Sequence, residues 1–231
     1  MLTGKIVGMG VAQRPSGQGT DYQLIIPVKS TENLATIASE AKRWWTTVQE
    51  YDQLSGQGTL PREVYKRAKF AEEAMAVTGD NLRLGVCCLI VCQSLDGHIL
   101  GVATWGWMNP QEGAINLQAI DPRHMAGTPG HDQYRGVGTA LLAAVSRQIL
   151  AAGGTALFLH PLDNKAAEFW HHRGFGACGG GGLMCIRGRS GIDTLIDGCK
   201  IRPDRPDGGE VIECGAPGAT TRYRMPATAK H

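Results

Sequence analysis

The sequence predicts an α/β protein: a mixed sheet with helices on both faces. Three observations predict it. Short apolar runs of strand length recur along the chain, two long helical stretches precede most of them, and after a hairpin signal at Asp96-Gly97 strands alternate with helices.

Taken in order, residues 1–21 are rich in Gly, Gln and Ser and are expected to form a flexible arm. A single domain is expected over 22–226, with a Gly/Pro-rich insertion near 187–217 and a short tail at 227–231. "YQLIIPVK" reads as a strand closed by Pro27. "STENLATIASEAKRWWTTVQEYDQL" opens with a capping signal at Ser30 or Thr31 and continues as a helix. A second helix, "LPREVYKRAKFAEEAMAVTG", has Pro61 at its start and Gly79 beyond its end. The strands "LRLGVCCLIVCQ" and "HILGVATWGWM" are joined across "SLDG" as a hairpin. Next come the strand "AINLQAI", a loop, the helix "LLAAVSRQILAAGG", the strand "ALFLHPL", the helix "NKAAEFWHHRG", a glycine turn and "LMCI". "TTRYRMP" reads as a last strand.

Composition narrows the function. With 42% hydrophobic and 19% charged residues and a net charge of +2, the chain has a substantial core and no global pull toward DNA or membrane. Its longest apolar run, "LGVCCLIVC", falls far short of the ~20 residues that span a bilayer. The N-terminus lacks the apolar stretch of an ordinary secretory signal, so a cytoplasmic location is expected. Seven cysteines, an odd number with no C-x-x-C pair, speak against a disulfide framework or a zinc site and for reduced thiols.

"QYRGVGTA", residues 133–140, places Gly136 and Gly138 at the mouth of a helix, where each weakens the helix by up to ~1 kcal/mol relative to alanine. A helix N-terminus presents unpaired N–H groups and a partial positive charge, so it accepts anions, and glycines let a phosphate approach the backbone. Arg135 adds charge. The P-loop is excluded because no Gly-Lys-Ser/Thr occurs. The dinucleotide fingerprint fails because its sixth position, counted from Gly136 as the first, is Leu141, and "GMGVAQ" from Gly8 ends in Gln13 without a helix.

The segment resembles the Q/R-x-x-G-x-G/A motif of the Gcn5-related N-acetyltransferase (GNAT) superfamily. "NKAAEFWHHRGF" is similar to a second family segment, with Asn164, Ala167, Phe169, Gly174 and Phe175 in place, and the order of elements from Tyr22 onward follows the family. The resemblance implies a GNAT fold, a mixed, mostly antiparallel, twisted sheet with splayed central strands and helices on both faces, and acetyl-CoA as cosubstrate. It implies that the amides of Gln133, Tyr134, Arg135, Gly136, Val137, Gly138 and Thr139 hold the pyrophosphate. Gln118, Ala119 and Ile120 would offer backbone N–H groups to the thioester, and Asn164 and Ala167 would lie near the pantetheine and phosphate arms. Two departures stand out. Trp170 replaces the usual tyrosine, and an indole N–H cannot act as the acid that protonates a departing thiolate. Residues 123–132, "RHMAGTPGHD", are inserted before Gln133 and bring His124 and His131 toward the presumed thioester.

The reaction so implied moves the acetyl group to a primary amine through a tetrahedral intermediate. The amine must lose a proton before attack and the oxyanion needs a donor. His160 is the first candidate for the base and His124 the second, with Glu112 and Gln118 as further groups to orient water; Trp170 walls the thioester pocket. Each histidine also has a bland reading, such as a hydrogen bond from His160 to a loop carbonyl. Trp105 and Trp107 share a strand face and are expected in the core, while adjacent Trp44 and Trp45 must diverge. Arg62, Lys66, Arg67 and Lys69 read as a solvated face, or as the flank of an acceptor groove for an acidic or RNA-linked acceptor. The acceptors in view are a small amine, a protein amine or, as in the toxins of this family, an aminoacyl-tRNA; a homodimer is also allowed. The other class is a CoA-binding sensor or scaffold that has lost its chemistry.

Overall fold

The computed structural model describes residues 1–13, 19–85, 88–128 and 134–198. They form strands β1 (Gly4–Gln13) and β2 (Gly19–Pro27), helices α1 (Thr31–Gly56) and α2 (Arg62–Leu84), and strands β3 (Cys88–Ser94), β4 (Ile99–Asn109) and β5 (Glu112–Ile120). A short 3-10 turn at Pro122–His124 follows. Then come α3 (Val137–Ala151), β6 (Ala156–Leu159), α4 (Asn164–His171), β7 (Gly176–Ala177), β8 (Met184–Arg187) and α5 (Arg189–Asp197).

One eight-stranded sheet runs β1-β2-β3-β4-β5-β6-β8-β7. Among the described residues every neighbouring pair is antiparallel except β5 and β6, which pair in parallel over Glu112–Ile115 and Ala156–Leu159. Helices cover both faces. Ile37, Trp44, Ala71, Ala74 and Met75 of α1 and α2 pack on Leu89, Val91, Ile99 and Val102. The opposite face carries Leu141, Leu142, Val145 and Ile149 of α3 with Ile192 and Leu195 of α5, against Ile90, Leu100, Ala103 and Trp105. Each large buried side chain contributes about 1.5–3 kcal/mol relative to exposure.

Helix α1 buries Asn33, Ile37, Glu40, Trp44, Thr47, Val48 and Tyr51, a stripe at helical spacing, and the Ser30 side chain accepts the Asn33 N–H to cap it. As expected, Trp44 and Trp45 diverge: the first is fully buried and the second half exposed. The Asp96-Gly97 hairpin is also in place, with Gly97 at φ +96°. No helix of the described residues is long and apolar enough to cross a membrane.

The structure corrects four expectations. The arm expected at 1–21 is instead β1, which pairs with β2 from Gly4↔Pro27 to Gln13↔Gly19, and which polar side chains distant in sequence tie down. The Asn33 amide accepts from the Thr3 N–H at 2.8 Å and donates to the carbonyls of Thr3 and Val28 at 2.7 Å, while the Gln93 side chain accepts from the Leu2 N–H at 2.9 Å. Helix α2 does not stop at Gly79. It continues to Leu84, burying Thr78 and Leu82, and ends on Gly85 at φ +67°, so residues 82–85 are not part of the strand expected from Leu82, which is described over Cys88–Ser94.

The remaining two lie near the end of the described chain. Within the irregular stretch expected from 187, Arg189–Asp197 form α5, because Ile192 and Leu195 bury against α3; residues 199–217 and the strand expected at "TTRYRMP" lie outside the described residues. Finally, the thiols are not all reduced. The turn of glycines 179–182 folds Cys178 back beside Cys185, and the two are joined by a disulfide with Cα atoms 5.7 Å apart. Cys92 is a free thiol whose pKa burial pushes up.

Candidate active site

The site begins with one extra residue in β5. Along β4 and β5, Thr104 pairs with Leu117 and Trp105 with Ile115, so Asn116 is left over as a bulge. Side chains two apart on a strand ordinarily share a face. Here the bulge reverses that rule: Ile115 packs on the α3 face, whereas Leu117 and Ala119 pack on the α1/α2 face. Past Ile115 the β5 strand also loses its parallel partner, because β6 ends at Leu159 while β5 continues to Ile120. The sheet therefore splits.

A cavity of about 270 Å³ occupies the split. On the α1/α2 side its lining includes Arg67 and Phe70 of α2, Leu117 and Ala119 of β5, and Met125; on the other side lie Gly138 of α3 and Ala166, Phe169 and Trp170 of α4. Asn116, Gln118, Leu159 and His160 stand along the split itself. One cavity thus passes from one face of the sheet to the other.

At its α3 end, Gly136 has φ +95° and caps the helix without a side-chain hydrogen bond. Only glycine adopts that conformation without strain, and nothing lies within 4 Å of where a Cβ would be. Gly138 faces the cavity: a Cβ there would lie 3.3 Å from Gln118 Nε2, 3.8 Å from the Phe169 ring and 3.9 Å from Ile120. Gln118 Nε2 donates to the Gly138 carbonyl at 3.0 Å, which fixes the amide's orientation. Its Oε1 is left buried with no partner, as is Asn116 Nδ2. Buried polar atoms are rarely left so, and each costs about 1–3 kcal/mol until a ligand satisfies it. The cavity therefore offers a free acceptor and a free donor along the unpaired part of β5.

The other expected residues divide. Gln118, Ala119, Ile120, Gly138, Trp170 and His160 line the cavity. Arg135 is exposed beside the helix mouth, whereas the Val137 side chain is in the core, so this residue has only its backbone to offer. The Thr139 hydroxyl accepts from Arg173, whose guanidinium lies 4.5 Å from the centre of the Phe169 ring. Tyr134 stacks on His124 at 4.4 Å and its hydroxyl is 2.5 Å from that of Thr20. Asn164 is exposed on the first turn of α4 and Ala167 packs toward the core; neither is among the cavity-lining residues. Trp170 is buried, edge-on to Phe169 at 4.9 Å and to Phe175 at 5.4 Å. His124 stands apart from the cavity, its Nε2 3.9 Å from Asp121. Gln133 and His131 lie outside the described residues.

Sequence reasoning missed the group that anchors the end of β5. Asp121 is fully buried and accepts from Arg43 at 2.7 Å and from Arg123 at 3.0 Å; Arg43 also binds Glu40 and the Ile99 carbonyl. Burial pushes the Asp121 carboxyl up to about 7, with the Arg43 guanidinium pulling the other way. Arg123 is a local partner, but the burial and the ion pair that set Asp121 apart come with Arg43, on a helix 78 residues away. Asn116 was missed for a similar reason: a bulge shows only in register.

No family model and no curated protein sequence matches the chain. Among solved structures, it is similar to a mutant AtaT toxin bound to the C-terminus of the antitoxin AtaR and acetyl-CoA (19% identity, 55% of this chain and 84% of that one, TM-score 0.45). It is likewise similar to nourseothricin acetyltransferase (18%, 44% and 65%, TM-score 0.37) and to Ard1 from Thermoplasma volcanium (21%, 43% and 69%, TM-score 0.36). The order of its strands, its parallel β5–β6 pair, the split beyond that pair and the glycine-opened helix between the two strands agree with the mixed, mostly antiparallel fold expected for the chain.

Proposed function

We propose that the protein is an acetyl-CoA-dependent N-acetyltransferase acting on a primary amine. The observation that carries this reading is the cavity through the split sheet, with a glycine-opened helix N-terminus at one end and an unpaired strand edge along it. The residues present fit acetyl-CoA. Gly136 and Gly138 bare the first amides of α3 for a pyrophosphate, Arg135 adds charge, and the unpaired edge of β5 with the free Gln118 Oε1 suits the amides of a pantetheine arm. When bound, acetyl-CoA supplies an activated acyl carbon whose C–S bond is broken as the amine's C–N bond forms.

The chain's own groups handle protons and charge. His160, at the end of β6 and on the cavity wall, accepts the proton that the amine sheds. Backbone N–H groups of Gln118–Ile120 and the Asn116 Nδ2 are donors for the developing oxyanion. Trp170 closes the pocket without supplying a proton, so water protonates the thiolate, which with a pKa near ~8.5 is already a fair leaving group. The test is calorimetric titration with CoA together with thiol release from acetyl-CoA over a panel of amines. Binding with turnover is expected. Binding without turnover on any amine would favour the second reading, a CoA sensor or scaffold, to which the donor-only indole of Trp170 is suited.

A further inference from the structure

The charges lining the cavity are Arg67, Asp163 and Lys165, with His160 beside them. Asp163 is committed to structure: its Oδ1 accepts the Ala166 N–H at 2.7 Å and caps α4. Lys165 is on α4, which faces the cavity from the side opposite α2. The α2 side is thus Phe70, Leu117, Ala119 and Met125 with a single charge, Arg67. The Arg67 guanidinium makes only long contacts to the carbonyls of Glu63 (3.3 Å) and Ala126 (3.5 Å), and among the described residues no carboxylate pairs with it. Its nearest acidic neighbour on the helix, Glu63, pairs with Lys66 at 3.4 Å.

Among the described residues, an ammonium entering from this side meets a cation and no free carboxylate, and such surroundings favour the neutral amine that attack requires. An anion meets a guanidinium whose fork of donors is unspent. We propose that Arg67 selects acceptors that carry a carboxylate or phosphate close to the reacting amine, the remainder of the acceptor lying on the apolar wall of Phe70, Leu117 and Met125. This rests on the reading of the cavity as an acetyltransferase site.

Two pairs of probes test it: L-phenylalanine against L-phenylalaninamide, and phosphoethanolamine against ethanolamine. Each is titrated calorimetrically into the full chain with and without saturating CoA, and each is assayed as an acceptor. In at least one pair, the probe that bears the carboxylate or phosphate is expected to bind about tenfold or more tightly than the partner that lacks it. Arg67→Ala should abolish the preference, Arg67→Lys should restore part of it, and CoA affinity should stay unchanged in both. The pair that shows the preference tells carboxylate from phosphate. Equal binding within both pairs, or a preference that survives Arg67→Ala, would overturn the proposal. So would anion binding that survives Arg67→Ala and is lost in Gly138→Asp, since it would belong to the helix mouth. Because binding is read without turnover, absence of acetyl transfer would count against the enzyme reading while the Arg67 preference is still decided.

Discussion

The two walls of the cavity are made of different material. On the α3/α4 side the polar groups are backbone and neutral amides, beside the Phe169 and Trp170 rings: two glycines at a helix mouth, a strand edge without a partner, and a glutamine pinned at one end. On the α2 side it is built from side chains: a phenylalanine, a methionine, small and branched β5 residues and one arginine. A backbone-built wall suits a ligand with repeating amides and phosphates, whatever else varies. A wall of side chains can be changed residue by residue, and the proposed reading puts specificity there.

Substitutions on each wall should therefore fail differently. The largest effect is expected at the helix mouth. Gly138→Asp, and Gly136→Asp with added backbone strain, place a carboxylate where a pyrophosphate would sit, and like charges so juxtaposed cost several kcal/mol, or ~10³-fold in CoA affinity. Calorimetry on variants whose circular dichroism matches the parent checks this, and unchanged affinity would remove the phosphate-loop assignment.

Next, His160→Ala should lower turnover ~10²-fold near neutral pH while sparing CoA affinity. The deficit should shrink toward pH 10, where an amine of pKa ~10.4 sheds its proton unaided. Rates measured from pH 6 to 10 decide it, and a parallel profile for parent and variant would exclude His160 as the base.

A smaller loss is expected from Gln118→Leu, which removes the free acceptor in the cavity: about tenfold in CoA affinity, the worth of one hydrogen bond. ADP, which lacks the pantetheine arm, should bind this variant as it binds the parent. Equal loss for both would show that Gln118 acts only through the Gly138 carbonyl.

Trp170→Phe should change turnover by no more than about threefold, since the indole walls the pocket through ring contacts that phenylalanine partly keeps. A variant that binds CoA and is inactive would make the indole essential.

A last effect, read in stability and not in affinity or turnover, concerns Asp121, which anchors the strand end that both walls share. Its folded pKa, near 7, lies above the unfolded value of ~3.9, so between those limits the folded chain holds the extra proton. That contribution to stability is complete below pH ~4, declines as pH rises, and is gone above about pH 7. Asp121→Asn should remove this part of the slope, read as the difference between parent and variant urea midpoints from pH 4.5 to 8.

What the sequence determined by itself was whatever rests on local backbone chemistry. Glycines at 136 and 138, the Asp96-Gly97 turn, the Ser30 cap and the alternation of strands with helices each act within a few residues, so they can be read in order. Even there the reading of local signals ran short at Gly79, where burial of Thr78 and Leu82 carries the helix past a residue that by itself favours stopping. Tertiary structure decided the rest. The N-terminal strand is held by Asn33 and Gln93, residues 30 and 91 positions away from their partners, and Asp121 is held by Arg43. The separation of His160, which lines the cavity, from His124, which does not, follows from the bulge at Asn116 and from where β6 ends. Arg67 gains its place only because α2 packs over the open side of the split. A strand register, a split between strands and the side of a sheet on which a helix lies are properties of paired segments, and no single segment encodes them.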